Sequence, residues 1–123
     1  MQEARFRLRN DHHIVGYRRM HGQRAFFSKD GMWWNGEPLH GFWEDAWTGL
    51  KDRNNQYLFV QDIVEFEPTE GAGVRLGVLE QHGSDMGIRC IEEDILYPLN
   101  AFGFPLFHGR ELRWISYLFL QDR

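Results

Sequence analysis

Alternation of polar and apolar side chains predicts the strands at the start of the chain. In residues 5–9, RFRLR, the arginines point to one face while Phe6 and Leu8 point to the other, as in a half-buried strand. Residues 13–19 predict a second strand after a polar turn, and residues 24–29 predict a third. The first part of the chain is therefore predicted to be a set of short strands.

Turn-forming residues break the pattern in the next segment. Asp30-Gly31 and Asn35-Gly36 are both hairpin signals. Their closeness predicts very short strands or a tight meander around residues 32–34. Residues 37–47 contain Pro38 and Gly41, which predicts irregular structure with one helical turn near Glu44–Trp47.

The second half of the chain returns to strand-like patterns. Residues 57–67 are apolar and β-branched enough to be strand. Residues 74–81 are predicted to pair with residues 86–93 as a hairpin across a His-Gly-Ser-Asp turn. Prolines and glycines interrupt residues 94–110, so no arrangement of strands and helices is predicted for this segment. Residues 111–121 predict a final strand, with a short helix as the alternative.

These patterns predict an all-β fold. Many short strands, frequent glycine turns and weak helical periodicity favour a small antiparallel barrel or sandwich with short irregular or helical insertions. Aromatic residues make up 15% of the chain, and they favour strands. A length of 123 residues fits one domain, residues 1–123.

Charge and cysteine content indicate the cellular compartment and the kinds of partner. The net charge is −4, but residues 1–24 carry six arginines against two acidic residues. Cys90 is the single cysteine, so no intrachain disulfide is expected, and its neighbours predict a strand with a buried, inert thiol. The first residues lack the apolar core of a signal peptide, and no window approaches about 18 apolar residues. We therefore expect a cytoplasmic protein with no membrane partner.

Four tryptophans form the first candidate site. Trp33, Trp34, Trp43 and Trp47 fall within fifteen residues. Trp33 and Trp34 cannot both face inward from one regular strand, because neighbouring side chains alternate. Two interpretations stay open: packing within the chain, or a contact with a ligand or a partner subunit.

Arginines form an alternative site. Arg5, Arg7 and Arg9 share one strand face, and neighbouring strands extend it through Arg18, Arg19 and Arg24. Arginines attract phosphate and aromatic rings stack on bases, so the combination suits single-stranded nucleic acid. The simpler interpretation is a solvated arginine face paired with the chain's acidic residues, and the net charge of −4 favours it.

Catalytic and metal-binding patterns are absent from the sequence. His12, His13 and His21 lie close together, but a zinc site needs three or four converging ligands, and adjacent histidines on a strand point to opposite faces. There is no GxGxxG, Walker A loop, GxSxG or CxxC. The sequence therefore predicts no metal, no cofactor and no catalytic residue.

Residues 48–66, TGLKDRNNQYLFVQDIVEF, resemble the motif of the YopX family of phage and prophage proteins, which commonly reads TGLKDKNGKEIYEGDIV. The two align without a gap. The identical positions are Thr48, Gly49, Leu50, Lys51, Asp52, Asn54, Asp62, Ile63 and Val64. Where the family has glycines in the turn and before the aspartate, this chain has Asn55 and Gln61. The opening ARFRLRND and the terminal WISYLF resemble the family more loosely.

The resemblance implies an all-β fold with an SH3-like barrel component, encoded in a bacterial mobile element, and it carries over no catalytic residue. In physical terms, residues 51–55 predict a polar tight turn containing Asp52 and Asn54. Gly49 is expected to supply a backbone angle that other residues avoid. The Asp62 carboxylate is expected to accept backbone N–H groups of a nearby turn and so fix the start of the next strand.

The function expected from the sequence is that of a non-enzymatic accessory protein of phage or prophage type. It would associate with a host or phage protein, including copies of itself, through the four tryptophans. The alternative is a nucleic-acid-binding module that uses the arginine face of the first strand. A third possibility is a small-ligand binder or enzyme that uses Asp62 or a histidine in a deep pocket.

Overall fold

The computed structural model describes residues 3–121. Apart from one 3-10 turn and one four-residue α-helix, the regular structure of these residues is β-strand, so the predicted all-β fold is confirmed. The described residues divide into two compact units on either side of the Trp47–Thr48 peptide bond. We call residues 3–47 unit 1 and residues 48–121 unit 2.

Unit 1 is an antiparallel sheet. Strands β1 (Ala4–Asn10), β2 (His13–His21) and β3 (Arg24–Ser28) follow one another as a meander, where the alternation predicts them. Strand β4 (Trp43–Lys51) pairs with the other side of β1. Within unit 1 the strand order is therefore β3-β2-β1-β4, and β4 continues past the boundary of the unit, where its next neighbour in the sheet is the strand Tyr57–Phe59.

Two expectations for the segment between β3 and β4 were wrong. Glu44–Trp47 is not a helical turn but part of β4, because pairing with β1 satisfies its backbone. Asn35-Gly36 does not close a hairpin: Asn35 forms an isolated bridge with Phe27, and residues 32–34 form no strand. Pairing with distant residues outweighed the local glycine and proline signals.

Unit 2 contains the remaining strands and the helices. The strands are β5 (Tyr57–Phe59), β6 (Asp62–Phe66), β7 (Arg75–His82), β8 (Asp85–Cys90), β9 (Leu96–Pro98), β10 (Asn100–Ala101), β11 (Phe104–Pro105) and β12 (Arg113–Tyr117). A 3-10 turn, Gly109–Glu111, precedes β12, and helix α1 (Leu118–Gln121) follows it. The main sheet has the order β12-β6-β7-β8-β9, while β10 and β11 form a separate hairpin.

The predictions for unit 2 had mixed outcomes. The β7–β8 hairpin is confirmed, although the strand ends at Cys90 and leaves residues 91–93 in a turn. The apolar run 57–67 is strand as predicted, but a turn at Val60-Gln61 divides it into β5 and β6. Residues 111–121 contain both alternatives, first β12 and then α1. The SH3-like barrel component stays a prediction.

The two units have different interiors. The core of unit 2 is apolar and consists of Leu58, Val64, Phe66, Leu79, Ile88, Cys90, Leu99, Phe107 and Leu112. Gly77 makes room for it, since a Cβ there would lie 2.3 Å from Ile88. In the described part of unit 1, Leu8 is the one large apolar side chain that is buried, and its buried neighbours are polar: Arg7, Arg9, Ser28 and Asp45.

Candidate functional site

The arginine face of β1 is covered rather than open to solvent. Arg7 and Arg9 are only 2% and 9% exposed. Both donate to Oδ2 of Asp45, at 3.0 and 2.8 Å. Asp45 lies on β4 directly opposite Arg7. The expectation of a half-buried β1 was therefore wrong for these two arginines, because local alternation does not reveal which acid a neighbouring strand contributes.

Other arginines of unit 1 are paired with acids as well. Arg18 donates to both carboxylate oxygens of Glu44, at 3.0 and 2.6 Å. Arg5 forms an ion pair with Glu3, and Arg19 Nη1 lies 3.9 Å from the same carboxylate. Together with Asp45, these acids pair with five of the six arginines of residues 1–24 and offset half of their positive charge.

Arginines and aromatic rings alternate across the sheet of unit 1. The order of this cation–π ladder is Trp47, Arg5, Trp34, Arg19, Phe26 and Arg24. Each guanidinium carbon lies between 4.8 and 6.0 Å from the centroid of the ring beside it. Such a contact contributes about 0.5–1 kcal/mol at an exposed site. The tryptophan and arginine sets, which the sequence offers as alternative sites, therefore partly belong to one structure.

Arg18 and Arg24, the remaining members of the predicted arginine face, lie on different sides of the sheet. Arg18 lies opposite Phe6 in the strand register, so it points to the other face of the sheet and packs over the Phe6 ring at 4.6 Å. Arg24 ends the ladder, and it forms no ion pair within the part of the chain that the structure describes. The predicted continuous face is thus divided between two sides of the sheet.

The four predicted interface tryptophans separate into two pairs. Trp34 and Trp47 are half-buried in the ladder, whereas Trp33 and Trp43 are exposed, although the Trp43 ring also lies 5.8 Å from the Arg9 guanidinium carbon. Residues 29–43, which connect β3 to the start of β4, are here called the aromatic connection. Its exposed apolar side chains are Met32 (77%), Trp33 (80%), Phe42 (85%) and Trp43 (54%).

Backbone hydrogen bonds hold the aromatic connection in place. Asp30 Oδ1 accepts from Met32 N at 2.8 Å and from Trp33 N at 3.2 Å. These N–H groups, that of Met32 above all, hold the pKa of the Asp30 carboxyl below its ordinary value. Asn35 bridges to Phe27 through two backbone hydrogen bonds of 2.7 and 3.0 Å. Met32 and Trp33 therefore stand on a fixed turn, and Trp33 lines a cleft of about 460 Å³.

Asp52 organises residues 48–66, here called the motif. Its side chain is buried, and Oδ1 accepts from Asn54 N and Gln56 N, each at 2.9 Å. Oδ2 accepts from Trp114 N of β12, also at 2.9 Å. The Asp52 carboxylate thus stabilises the turn and also connects it by a hydrogen bond to β12, more than sixty residues further along the chain. Asn54 contributes its backbone N–H rather than its side chain.

Three residues of the motif have the positive φ angles that favour glycine. They are Gly49 (87°), Asn55 (66°) and Gln61 (81°). Gln61 is held in this conformation from both sides, because its N–H donates to Leu79 O at 2.9 Å and its carbonyl accepts from Leu118 N at 2.8 Å. A left-handed backbone is unfavourable by about 1–2 kcal/mol for a residue with a Cβ.

Asp62 occupies the position expected from the sequence. It is 1% exposed, and its Oδ2 accepts from Phe59 N at 2.8 Å across the turn that joins β5 to β6. Thr48 supports the same region, since its hydroxyl donates to Leu58 O at 2.8 Å. The polar residues of the motif therefore serve the fold of unit 2.

Clusters of metal-ligating side chains and the lining of clefts bear on the third functional possibility. Within residues 3–121, no group of three or more His, Cys, Asp or Glu side chains is placed to hold a metal. His12, His13 and His21 are exposed. Two clefts among the described residues, of about 450 and 460 Å³, include neither Asp62 nor a histidine in their lining.

One exposed apolar element was not predicted. The β10–β11 hairpin presents Phe102 and Phe104, which are 100% and 71% exposed. The signal was present in the sequence, because residues 95–107 contain no charged residue and include Phe-Gly-Phe just before a proline. It was missed because strands of two residues do not show a period.

Comparison with known proteins finds no relative: the chain matches no family model, no curated protein and no solved structure. Among the described residues, no helix has the length and apolar character needed to cross a membrane. The surfaces of the chain itself are therefore the evidence for its function.

Proposed function

We propose that this chain is a cytoplasmic accessory protein of phage or prophage type that acts without catalysis, by binding protein, including copies of itself. The observation that carries the proposal is the aromatic connection. Four of its large apolar side chains are more than half exposed, and two of them, Met32 and Trp33, stand on a turn that hydrogen bonds fix. Large apolar side chains exposed on a fixed segment are typical of protein interfaces.

The size of this surface fits such a role. Large aromatic side chains bury about 150–250 Å² each, so covering the three exposed aromatic residues removes roughly 450 Å² from water. A standard interface buries about 800 Å² per partner, so the aromatic connection supplies about half of one side. Tryptophan is also among the residues that contribute most to binding energy at interfaces.

The phage-type part of the proposal is supported by the backbone of the motif. The family has glycine at the positions of Asn55 and Gln61, and both residues adopt positive φ here. Glycine reaches these angles without steric strain. The chain therefore keeps the backbone conformation for which the family's glycines are suited, even where the residue differs.

Self-association is tested by size-exclusion chromatography with light scattering. The Trp33→Ala/Trp43→Ala variant is expected to elute at the monomer mass of 14.7 kDa where the unchanged chain elutes at a larger mass. Val74→Ser is the matched control, because Val74 is 65% exposed but lies in unit 2. A monomeric unchanged chain at several hundred micromolar, or an oligomer that survives the double substitution, would contradict the proposal.

The nucleic-acid alternative retains one supporting observation, the exposed end of the cation–π ladder. Arg24 stacks on Phe26 there and forms no ion pair within the described residues. The alternative predicts binding of a single-stranded oligonucleotide that weakens steeply with salt and is reduced by Arg24→Ala. Arg110→Ala serves as control, since Arg110 is an exposed arginine of unit 2. Binding that ignores salt would exclude this alternative.

A further inference from the structure

The aromatic connection contains two pairs in which an acidic or amide residue precedes glycine, Asp30-Gly31 and Asn35-Gly36. Besides its preference for turns, such a pair has a chemical property. The nitrogen of the second residue can attack the side-chain carbonyl carbon of the first and close a cyclic imide. Glycine hinders this attack least, because it has no Cβ. The structure distinguishes the pair that is protected from the pair that can react.

Asp30-Gly31 is protected on both sides of the reaction. The N–H groups of Met32 and Trp33 hold the pKa of the Asp30 carboxyl below its ordinary value, so this carboxyl is ionised at neutral pH. A carboxylate resists attack because it already carries negative charge. The Gly31 N–H, which would have to attack, donates to Ser28 Oγ at 2.8 Å. Neither group of this pair is therefore available.

Asn35-Gly36 is accessible and uncharged. Both residues are exposed to solvent, and among residues 3–121 no hydrogen bond engages the Gly36 N–H. The Asn35 side-chain carbonyl accepts from Glu37 N at 2.8 Å, which keeps the side chain folded along the Gly36 peptide. An N–H donor at this oxygen also stabilises the negative charge that develops there when the carbon is attacked. The attacking group is thus free, and the attacked group is activated.

We propose that Asn35 is a site of spontaneous deamidation, which converts this residue of the aromatic connection to aspartate or isoaspartate. The Gly36 nitrogen loses its proton and bonds to the side-chain carbonyl carbon of Asn35. The bond from that carbon to the side-chain NH2 breaks, and ammonia leaves with the proton. Water then opens the imide at either carbonyl. No oxidant, reductant or enzyme takes part, so the reaction is independent of the proposed function.

The isoaspartate product changes how the aromatic connection is held. Asn35 bridges to Phe27 through its backbone N–H and its backbone carbonyl. In isoaspartate the chain continues through the former side-chain carbon, so this carbonyl becomes a free carboxylate and the main chain gains one carbon before Gly36. The bridge is therefore expected to loosen directly beside Trp34, which belongs to the cation–π ladder.

Peptide mapping of the folded, full-length chain tests the reaction. Trypsin cuts after lysine and arginine, so it releases residues 30–51 as one peptide, in which Asn35 is the one asparagine and glutamine is absent. After incubation at neutral pH, this peptide is expected to carry OH in place of NH2, and electron-transfer fragmentation identifies the isoaspartate. Residues 54–75 are the internal control, because Asn54 and Asn55 precede residues that have a Cβ. Equal conversion of both peptides would contradict the inference.

Gly36→Ala is the matched variant. A Cβ at Gly36 meets no heavy atom within 4 Å, and Gly36 does not have a positive φ, so the substitution leaves the fold unchanged. The conversion of Asn35 is expected to slow at least about tenfold, because the added methyl group hinders the attacking nitrogen. Conversion at the original rate in this variant would overturn the imide route.

Comparison with the urea-denatured chain shows whether the fold leaves Asn35 reactive. The folded chain is expected to react within about tenfold of the denatured rate, because the exposed pair reaches the attacking geometry without unfolding. A folded rate about 100-fold lower would show that the bridge to Phe27 protects Asn35, and the inference would fail.

Hydrogen exchange measured by NMR tests the structural consequence. The Phe27 amide, which donates to Asn35 O at 2.7 Å, is expected to exchange faster in the deamidated chain. The Gln61 amide of unit 2, which donates to Leu79 O, is the control and is expected to keep its rate. An unchanged Phe27 rate in chains that carry isoaspartate would refute the loosening of the bridge.

Discussion

The two units are stabilised by different chemistry. Unit 2 encloses an apolar core in which Leu79 and Ile88 are fully buried. Unit 1 instead buries two arginines around the Asp45 carboxylate and stacks further arginines between aromatic rings. Apolar burial is non-directional, whereas a buried ion cluster is favourable only when every charge keeps its partner.

This difference predicts which substitutions lower the stability of each unit most. A truncation in an apolar core leaves a cavity, and the surroundings relax partly around it. Loss of one acid in unit 1 leaves two guanidinium groups buried without their shared counter-charge. A unit with a small apolar core cannot bury all of its large apolar side chains. Trp33 and Trp43 accordingly lie at the surface of unit 1.

The largest expected effect is that of Asp45→Ala. It should lower the free energy of unfolding by about 3–5 kcal/mol, because Arg7 and Arg9 lose the carboxylate that they share. Glu44→Ala is the control, since this neighbour on β4 forms an exposed ion pair with Arg18, worth at most about 1 kcal/mol. Urea denaturation followed by tryptophan fluorescence measures both. Equal losses would mean that unit 1 does not depend on its buried cluster.

The next effect compares two adjacent tryptophans. Trp34→Ala should destabilise the chain by about 2 kcal/mol, because the ring packs between Arg5 and Arg19. Trp33→Ala should change the stability by less than about 0.5 kcal/mol, as expected for an exposed side chain. Thermal unfolding at low micromolar concentration, where association does not contribute, gives the comparison. A larger loss for Trp33 would show that it packs within the chain.

A smaller effect of opposite sign is expected in the motif of unit 2. Gln61→Gly should raise the free energy of unfolding by about 0.5–1 kcal/mol, because glycine accepts the positive φ without strain. Gly49→Ala, at a φ of 87°, should lower it by about 1–2 kcal/mol. Chemical denaturation measures both signs. Destabilisation by Gln61→Gly would indicate that the glutamine side chain matters more than its backbone.

The smallest effect is the pH response of the turn that presents Trp33. The N–H group of Met32, and then that of Trp33, hold the pKa of Asp30 below its ordinary value of 3.8. A lowered pKa in the folded state stabilises the turn fully above the ordinary value, and this stabilisation is lost as the pH falls through the lowered pKa. NMR titration of the Met32 amide should show that step, and Asp30→Asn should abolish it. An unchanged Met32 shift down to pH 2 would contradict this account.

Local chemistry was sufficient to predict several elements of the fold. The β7–β8 hairpin follows from period-two alternation on both sides of a Gly-containing turn. Asp62 could be assigned its turn because its partner, Phe59 N, lies three residues away. Gly49 could be assigned its backbone angle because the steric reason lies within one residue.

The candidate site was less accessible from the sequence. The tryptophans and arginines stay candidate residues, but the structure groups them differently from the sequence prediction. Trp34 belongs with Arg5 and Arg19, while its neighbour Trp33 does not, because only the path of the aromatic connection decides which ring meets the sheet. Phe102 was missed for a related reason, since a two-residue strand has no period to detect.

The sequence by itself determined an all-β chain, its main hairpin and the turns of its motif, because each depends on residues within a few positions of one another. The tertiary structure alone decided that Arg7 is buried, since its partner Asp45 lies 38 residues further along the chain. It also decided which aromatic rings stayed exposed. Cross-strand neighbours are set by the pairing of distant segments, and that pairing leaves no periodic trace in either segment alone.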